Sequence, residues 1–169
     1  MCEAHHYAKG CANTAVYSHG LFRAGRHEPS GAALWMPPTK IAAQSVADDW
    51  RGVLSLSRLV VVPDAPPNAA SFLLGRSMRL IESDGRYHTL LTYADTAQGH
   101  TGAIYLATNW TLVGRTKGDP VWKDVDGKQV SRKCAARTRR NDEMLALGYT
   151  KHPASPKLKY VRHLRLSSC

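Results

Sequence analysis

The stretch VLSLSRLVVVPDAPPNAASFLLGRSMRLIES, residues 53–83, sets the architecture. Its first ten residues, Val53 to Val62, are an apolar, β-branched run of strand length. Pro63 ends that strand, because proline cannot donate to a ladder. A loop, DAPPNAA, follows. Phe72, Leu73, Leu74, Met78, Leu80 and Ile81 then recur at the spacing of an amphipathic helix, with Asn68 or Ser71 as its cap. Strand, loop and helix in this order place free backbone N–H groups and a positive dipole end just beyond the strand, which suits a pyrophosphate.

The rest of the chain extends this unit. Two short strands, Gly20–Arg23 and Gly31–Met36, are expected before it, joined by a polar turn from Ala24 to Ser30. After it come a buried strand from Tyr87 to Asp95, a short helix beginning near Thr101, and a strand from Trp110 to Thr116. A basic, polar segment follows. A short helix over Asn141–Tyr149, stopped by Gly148, and a last strand over Pro156–Leu164 close the chain. This order predicts an α/β (α+β) protein, one domain over 1–169, with a mixed central sheet flanked by helices.

The formal net charge of +10 is unevenly spread. From Arg115 to Cys169 there are 14 Lys/Arg against 5 Asp/Glu, a net +9; before Arg115 there are 9 against 8, a net +1. The segment RKCAARTRR, 132–140, holds five of those cations. Such a concentration attracts a polyanion, and a phosphate backbone is the commonest one; the plain alternative is a solvated basic surface. Double-stranded DNA is the favoured partner, with Arg115, Lys117, Arg132, Lys133, Arg137, Arg139 and Arg140 as phosphate contacts. No apolar run approaches the length of a membrane span, and the residues after Met1 form no signal peptide, so a cytoplasmic protein is expected. Cys2, Cys11, Cys134 and Cys169 form no CxxC pair, which argues against a zinc knuckle or a disulfide framework.

The densest chemistry lies in YADTAQGHTGAIYLATNW, 93–110. Asp95 ends a buried strand, where α/β folds put their chemistry; it can serve as base, metal ligand or partner to Arg58, or merely cap a turn. Arg58 is a charge inside an apolar strand and needs a partner. Ser55, Ser57 and Arg58 break the alternation of that strand. Tyr105 is either a core tyrosine or a proton donor. Trp110, Trp35 and Trp122 are either core or walls for an extruded base. His6, Tyr7, Asp95, His100 and Tyr105 are N and O donors of the kind that suit a first-row metal.

Three stretches in order, HHY (5–7), LSRLVVVPDAPPNAAS (56–71) and TYADTAQGHTGAIYLATNW (92–110), closely resemble the Mom DNA-modification proteins of bacteriophages. The resemblance runs over roughly residues 5 to 165. Mom proteins are related to the GNAT acyltransferases, whose strand–loop–helix binds acyl-CoA. The resemblance implies a GNAT-like domain that modifies the N6 amine of adenine in DNA with a methylcarbamoyl-type group, shielding it from host restriction. It implies catalytic roles for Asp95, Tyr105, Tyr7 and Arg58, and iron held by His6, Tyr7 and Asp95. It also implies acetyl-CoA held by Val62, Asn68, Ala69, Ala70 and Ser71. The loop departs from the acyltransferase pattern, since PPNAAS stands where spaced glycines are usual. Two other readings stand beside this one: an N-acyltransferase on a small amine or a protein, and a DNA-binding protein without enzymatic activity.

Overall fold

The structure is a computed structural model that describes residues 14–96, 99–118, 120–132, 137–153 and 156–165. A hairpin of β1 (Tyr17–Phe22) and β2 (Pro29–Met36) opens it. Helix α1 (Lys40–Gln44) and a 3₁₀ turn (Trp50–Gly52) lead into β3 (Val53–Val61). Then come α2 (Ala69–Asp84), β4 (Thr89–Asp95), α3 (Ala103–Ala107) and β5 (Thr111–Arg115). Short strands β6 (Val121–Lys123) and β7 (Gln129–Val130), helix α4 (Asn141–Ala146), and strands β8 (Thr150–His152) and β9 (Lys157–His163) complete the order.

The main sheet has the order β1-β2-β3-β4-β9-β5. All its neighbours are antiparallel except β3 and β4, which run parallel. Parallel strands need a crossover, and α2 provides it. The apolar face of α2 (Leu73, Leu74, Met78 and Ile81) packs on Trp35, Leu54, Leu56, Leu90, Ala94, Trp110 and Tyr160. A smaller cluster of Ala43, Val53, Leu91 and Val161 lies on the other face, under α1. Burying one such aliphatic side chain stabilises by about 1.5–3 kcal/mol, so the α2 face carries most of this layer.

One polar chain runs through the larger core. The Trp35 indole donates to Ser77 Oγ at 2.6 Å, and Ser77 meets His19 Nδ1 at 2.6 Å. Burial lowers the pKa of His19, which favours the neutral ring. The hydroxyl can then donate its proton to an unprotonated Nδ1 while accepting from the indole.

The sheet and crossover follow the expected order, with additions. β1 begins at Tyr17, where pairing to Trp35 extends the strand. Helix α1 follows Pro37-Pro38, and its N-cap Thr39 accepts from Ala42 N–H at 3.4 Å. The basic segment, expected to be without strands, carries the three-stranded sheet β7-β6-β8. Those strands are two or three residues long, too short for an alternating pattern to register. No helix among the described residues is long and apolar enough to cross a membrane.

Candidate active site

The site begins as an irregularity in β3. Trp35 pairs with Leu56 and Leu34 with Arg58, so Ser57 is an extra residue, a β-bulge. Before the bulge, Leu54 and Leu56 face α2. After it Leu59 takes that face, and Arg58, paired with Leu34, turns to the opposite one. The Arg58 guanidinium donates to Ser57 O at 2.8 Å and lies 3.3 Å from Ser57 Oγ.

The bulge sits where two strands part. β3 and β4 pair only at Val53–Thr89, Leu54–Leu90 and Ser55–Leu91. Beyond that point β3 pairs only with β2 and β4 only with β9, up to Val61 and Asp95 respectively. Thr92 Oγ1 donates to Leu56 O at 3.4 Å at the fork. Right-handed twist then drives the unpaired halves apart and opens a slot toward their C-terminal ends.

The slot continues into a cavity of about 350 Å³ lined by Leu59, Val61, Ala70 and the segment 99–105. A second cavity of about 510 Å³ adjoins it, bounded by Val61, Val62, Pro63, the N-terminus of α2 from Asn68 to Ser71, and Ala103, Ile104 and Ala107 of α3. Asn68 holds a left-handed conformation (φ 65°) and its side chain makes no capping bond. The first turn of α2 contains no acidic residue, so its positive end is uncancelled from within the helix. Val62, Asn68, Ala69, Ala70 and Ser71, the predicted cofactor residues, thus all border one cavity.

Tyr105 is held on the α2 side of the sheet. Its ring lies 5.2 Å from Tyr160 and 5.7 Å from Trp110. Tyr160 donates to Thr101 O at 3.1 Å, and Gly102 (φ 77°) passes so close that a Cβ there would lie 2.2 Å from the Tyr160 hydroxyl. Trp110 stacks on Trp35 at 6.4 Å and is 3% exposed. Trp35 and Trp122 are equally buried. All three are core residues, and none is a wall for an extruded base.

Asp95 is on the other side. Leu91 and Tyr93 belong to the cluster under α1, and alternation gives Asp95 the same face. Its carboxylate lies 3.6 Å from Lys157 Nζ and its side chain is 16% exposed. Asp95 and Tyr105 are therefore on opposite faces, with the slot between them, and Arg58 shares the face of Asp95. Tyr93, which sequence reasoning passed over, stands between Leu91 and Asp95, and burial raises its pKa. The signal for it was the same period of two. His6 and Tyr7 lie outside the described residues.

The basic insertion leaves and re-enters the sheet at this same end. Thr116 N–H donates to Lys157 O at 2.9 Å, and Thr96 Oγ1 donates to Pro156 O at 2.7 Å. Several of the predicted phosphate contacts have partners within the protein. Arg137 holds Glu143 through two bonds of 2.7 and 2.9 Å, and Arg140 holds Asp142 at 2.9 Å. Arg132 donates twice to Arg139 O, at 3.0 and 2.9 Å. These three arginines build the insertion, because acidic groups at the start of α4 and an open carbonyl offer them partners. Glu143 also accepts from Arg140 N–H at 3.0 Å, capping α4. Arg137 first, then that backbone bond, hold its carboxyl down at about 2. Arg115 and Lys117 are exposed near the mouth of the slot, and Arg139 is half-buried. Lys133 and all four cysteines lie outside the described residues.

A sheet with one parallel pair splayed around a helix N-terminus is the architecture of the GNAT acetyltransferases. The ribosomal-protein-S18-alanine N-acetyltransferase of Escherichia coli superposes with a TM-score of 0.52 at 12% identity, over 96% of this chain and 76% of that one. The ribosomal-protein-alanine N-acetyltransferase of Brucella melitensis gives 0.51 at 14%, over 86% and 67%. An N-acetyltransferase of Staphylococcus aureus Mu50 gives 0.51 at 14%, over 86% and 66%. The chain has the GNAT fold. Residues 1–165 match the Mom protein family, and the chain belongs to that family. No curated protein matches the sequence.

Proposed function

We propose that this protein transfers an acyl-type unit from acetyl-CoA to the N6 amine of adenine in double-stranded DNA, in the cytoplasm of a bacterial host. That transfer yields an N6-acyl adenine and free CoA thiol; the methylcarbamoyl-type adduct that protects phage DNA from restriction needs chemistry beyond it. The observation that carries the reading is the parting of β3 and β4 beyond Ser55 and Leu91, with a helix N-terminus that lacks a side-chain cap beyond the end of β3 and the Asp95 carboxylate at the end of β4.

The residues fit an acyl-CoA donor. The N–H groups of Ala70 and Ser71 suit a diphosphate, and the apolar walls Leu59, Val61 and Ile104 suit the chain that joins it to the thioester. Acetyl-CoA supplies an activated carbonyl with a thiolate leaving group. N6 is a weak nucleophile because its lone pair is delocalised into the purine. Asp95, whose carboxylate lies 3.6 Å from Lys157 Nζ, takes the proton that N6 loses as the new C–N bond forms. Arg58, placed on the face of Asp95 by the bulge, would supply a cation to the oxygen of the group being transferred. Tyr105, on the donor side, would hold a proton for the thiol that leaves. A methylcarbamoyl group contains one nitrogen more than an acetyl unit, so completing it requires a nitrogen source in addition.

Iron is the other cofactor the sequence suggests. Of His6, Tyr7 and Asp95 only Asp95 is described, and among the described residues no three His, Cys, Asp or Glu side chains gather about one point. No step above runs through iron. The exposed cations at the mouth, Arg115 and Lys117, engage phosphates while the target base is drawn out of the stack.

The test is mass spectrometry of nucleosides from plasmid DNA recovered from cells expressing the chain, with Asp95→Ala and Tyr105→Phe beside it. The expected result is a heavier deoxyadenosine, absent with Asp95→Ala and reduced with Tyr105→Phe. Unmodified DNA in the presence of soluble wild-type protein would overturn the reading. It would favour a small-amine acyltransferase or a plain DNA binder.

A further inference from the structure

Beside the N-terminus of α2, on the side away from α3, lies a mainly apolar pocket of about 460 Å³. Its walls are Leu21 and Phe22 of β1, Pro66 and Pro67 of the loop, and Ala69 and Phe72 of α2. Phe22 is 55% exposed and Phe72 is 57% exposed. Two phenylalanines facing solvent across a rigid proline floor form an apolar surface with nothing to cover it among the described residues. The Arg76 guanidinium lies 5.7 Å from the Phe72 ring centroid, one turn along the helix. Arg23 closes the rim through its ion pair with Asp64 at 3.1 Å.

We propose that this pocket holds the adenine ring of the acyl-CoA donor, stacked on Phe72 and bounded by Phe22. The inference rests on the cofactor reading above and adds where the nucleoside end goes. Asn68 and Ala69 line both this pocket and the cavity at the helix N-terminus, so a diphosphate on Ala70 and Ser71 has the pocket next to it. A flat, polarisable ring suits aromatic walls, and an adjacent guanidinium strengthens the stack. Arg76, on the following turn of α2, offers a cation to a ribose phosphate. The adenine of the DNA does not belong here, because β2 and β3 lie between β1 and Asp95 on β4. The loop PPNAAS thereby has a use of its own: prolines build a floor where glycines would leave none.

A second groove of about 380 Å³ runs down α2 past Arg79, Asn109 and Arg162, with Phe72 as the ridge between the two. It is the competing direction for the nucleoside, and the experiment separates them. Calorimetry on the full chain would measure CoA, adenosine 3′,5′-bisphosphate and 4′-phosphopantetheine against wild type, Phe22→Ala, Phe72→Ala, Phe72→Trp and Arg79→Ala, with a DNA duplex as a further ligand. Losing one aromatic stacking partner should weaken CoA and the bisphosphate by roughly 5- to 150-fold. Phosphopantetheine and the duplex should bind unchanged, and Phe72→Trp should retain affinity. Wild-type thermal melts for the alanine variants would establish that they fold. Folded alanine variants that bind CoA like wild type overturn the pocket alone, as does loss of bisphosphate binding confined to Arg79→Ala or loss of duplex binding in the phenylalanine variants. Wild-type protein that binds no CoA overturns the cofactor reading itself.

Discussion

Gly102 is the tightest point of the site, and replacing it separates two physical costs. An alanine there pays first for its backbone. At φ 77° it holds a left-handed conformation, which costs an L residue about 1–2 kcal/mol. It then meets Tyr160, whose hydroxyl and Cζ would lie 2.2 and 2.4 Å from the new methyl. Tyr160 cannot retreat easily. It is 1% exposed, paired with Thr92 on one side and Leu112 on the other, with its ring against Tyr105. Overpacking of this kind costs about 1–3 kcal/mol. Gly99 has nearly the same backbone, φ 70°, but nothing lies within 4 Å of its virtual Cβ. Gly102→Ala should therefore destabilise by about 2–5 kcal/mol and Gly99→Ala by about 1–2 kcal/mol. At roughly 2–4 °C per kcal/mol for a chain of this size, the first should lower Tm by about 4–20 °C and the second by about 2–8 °C. Thermal melts followed by circular dichroism under identical conditions decide it. Equal losses would refute the argument, because they would mean that the close approach to Tyr160 contributes nothing.

Two further outcomes follow from the insertion. Glu143 is held at about 2 against an ordinary value of 4.5, so its contribution to α4 is complete above the unfolded value and disappears as pH falls toward 2. Amide protection over 141–149, taken relative to intrinsic exchange at each pH, should fall between about pH 4.5 and 2 in the wild type. In Glu143→Gln it should be low already at neutral pH; a wild-type pH profile of protection in that variant would refute the assignment. On the DNA reading, Arg115→Ala and Lys117→Ala should each lower the salt dependence of duplex binding by about 0.9 in the log–log slope. Arg137→Ala should loosen α4 and leave the slope nearly unchanged, because that side chain is occupied by Glu143. Equal slope losses for Arg115 and Arg137 would contradict this division.

The long elements were legible because they are long. β3, α2, β4 and β9 carry enough residues for a period of two or 3.6 to register, and each lies within a few residues of its expected place. Helix α1 and strands β6 to β8 have two to five residues, and no period can be read in so few. The failure of Ser55, Ser57 and Arg58 to alternate was a true signal, but of a bulge, which only pairing to β2 reveals. Counting charge found the basic insertion and could not find the carboxylates that occupy Arg137 and Arg140, because which cations are spent depends on the turn of α4. The tryptophans were ambiguous by composition, and burial settled them as core. A separation of ten residues between Asp95 and Tyr105 says nothing about which face each takes, since a turn and a helix start intervene.

The extra residue at Ser57 makes β3 unequally tolerant of the same genetic change at neighbouring positions. Deleting the Ser57 codon removes the residue that has no partner in β2, so Leu56 is followed directly by Arg58 and ordinary alternation keeps Leu59 toward α2 and Arg58 on the opposite face. Deleting Val60, which has a partner, would instead turn Val61 away from the cavity it lines. One lost triplet is thus absorbed at the bulge and misplaces a wall of the slot three positions further on, because the strand carries its spare residue at Ser57.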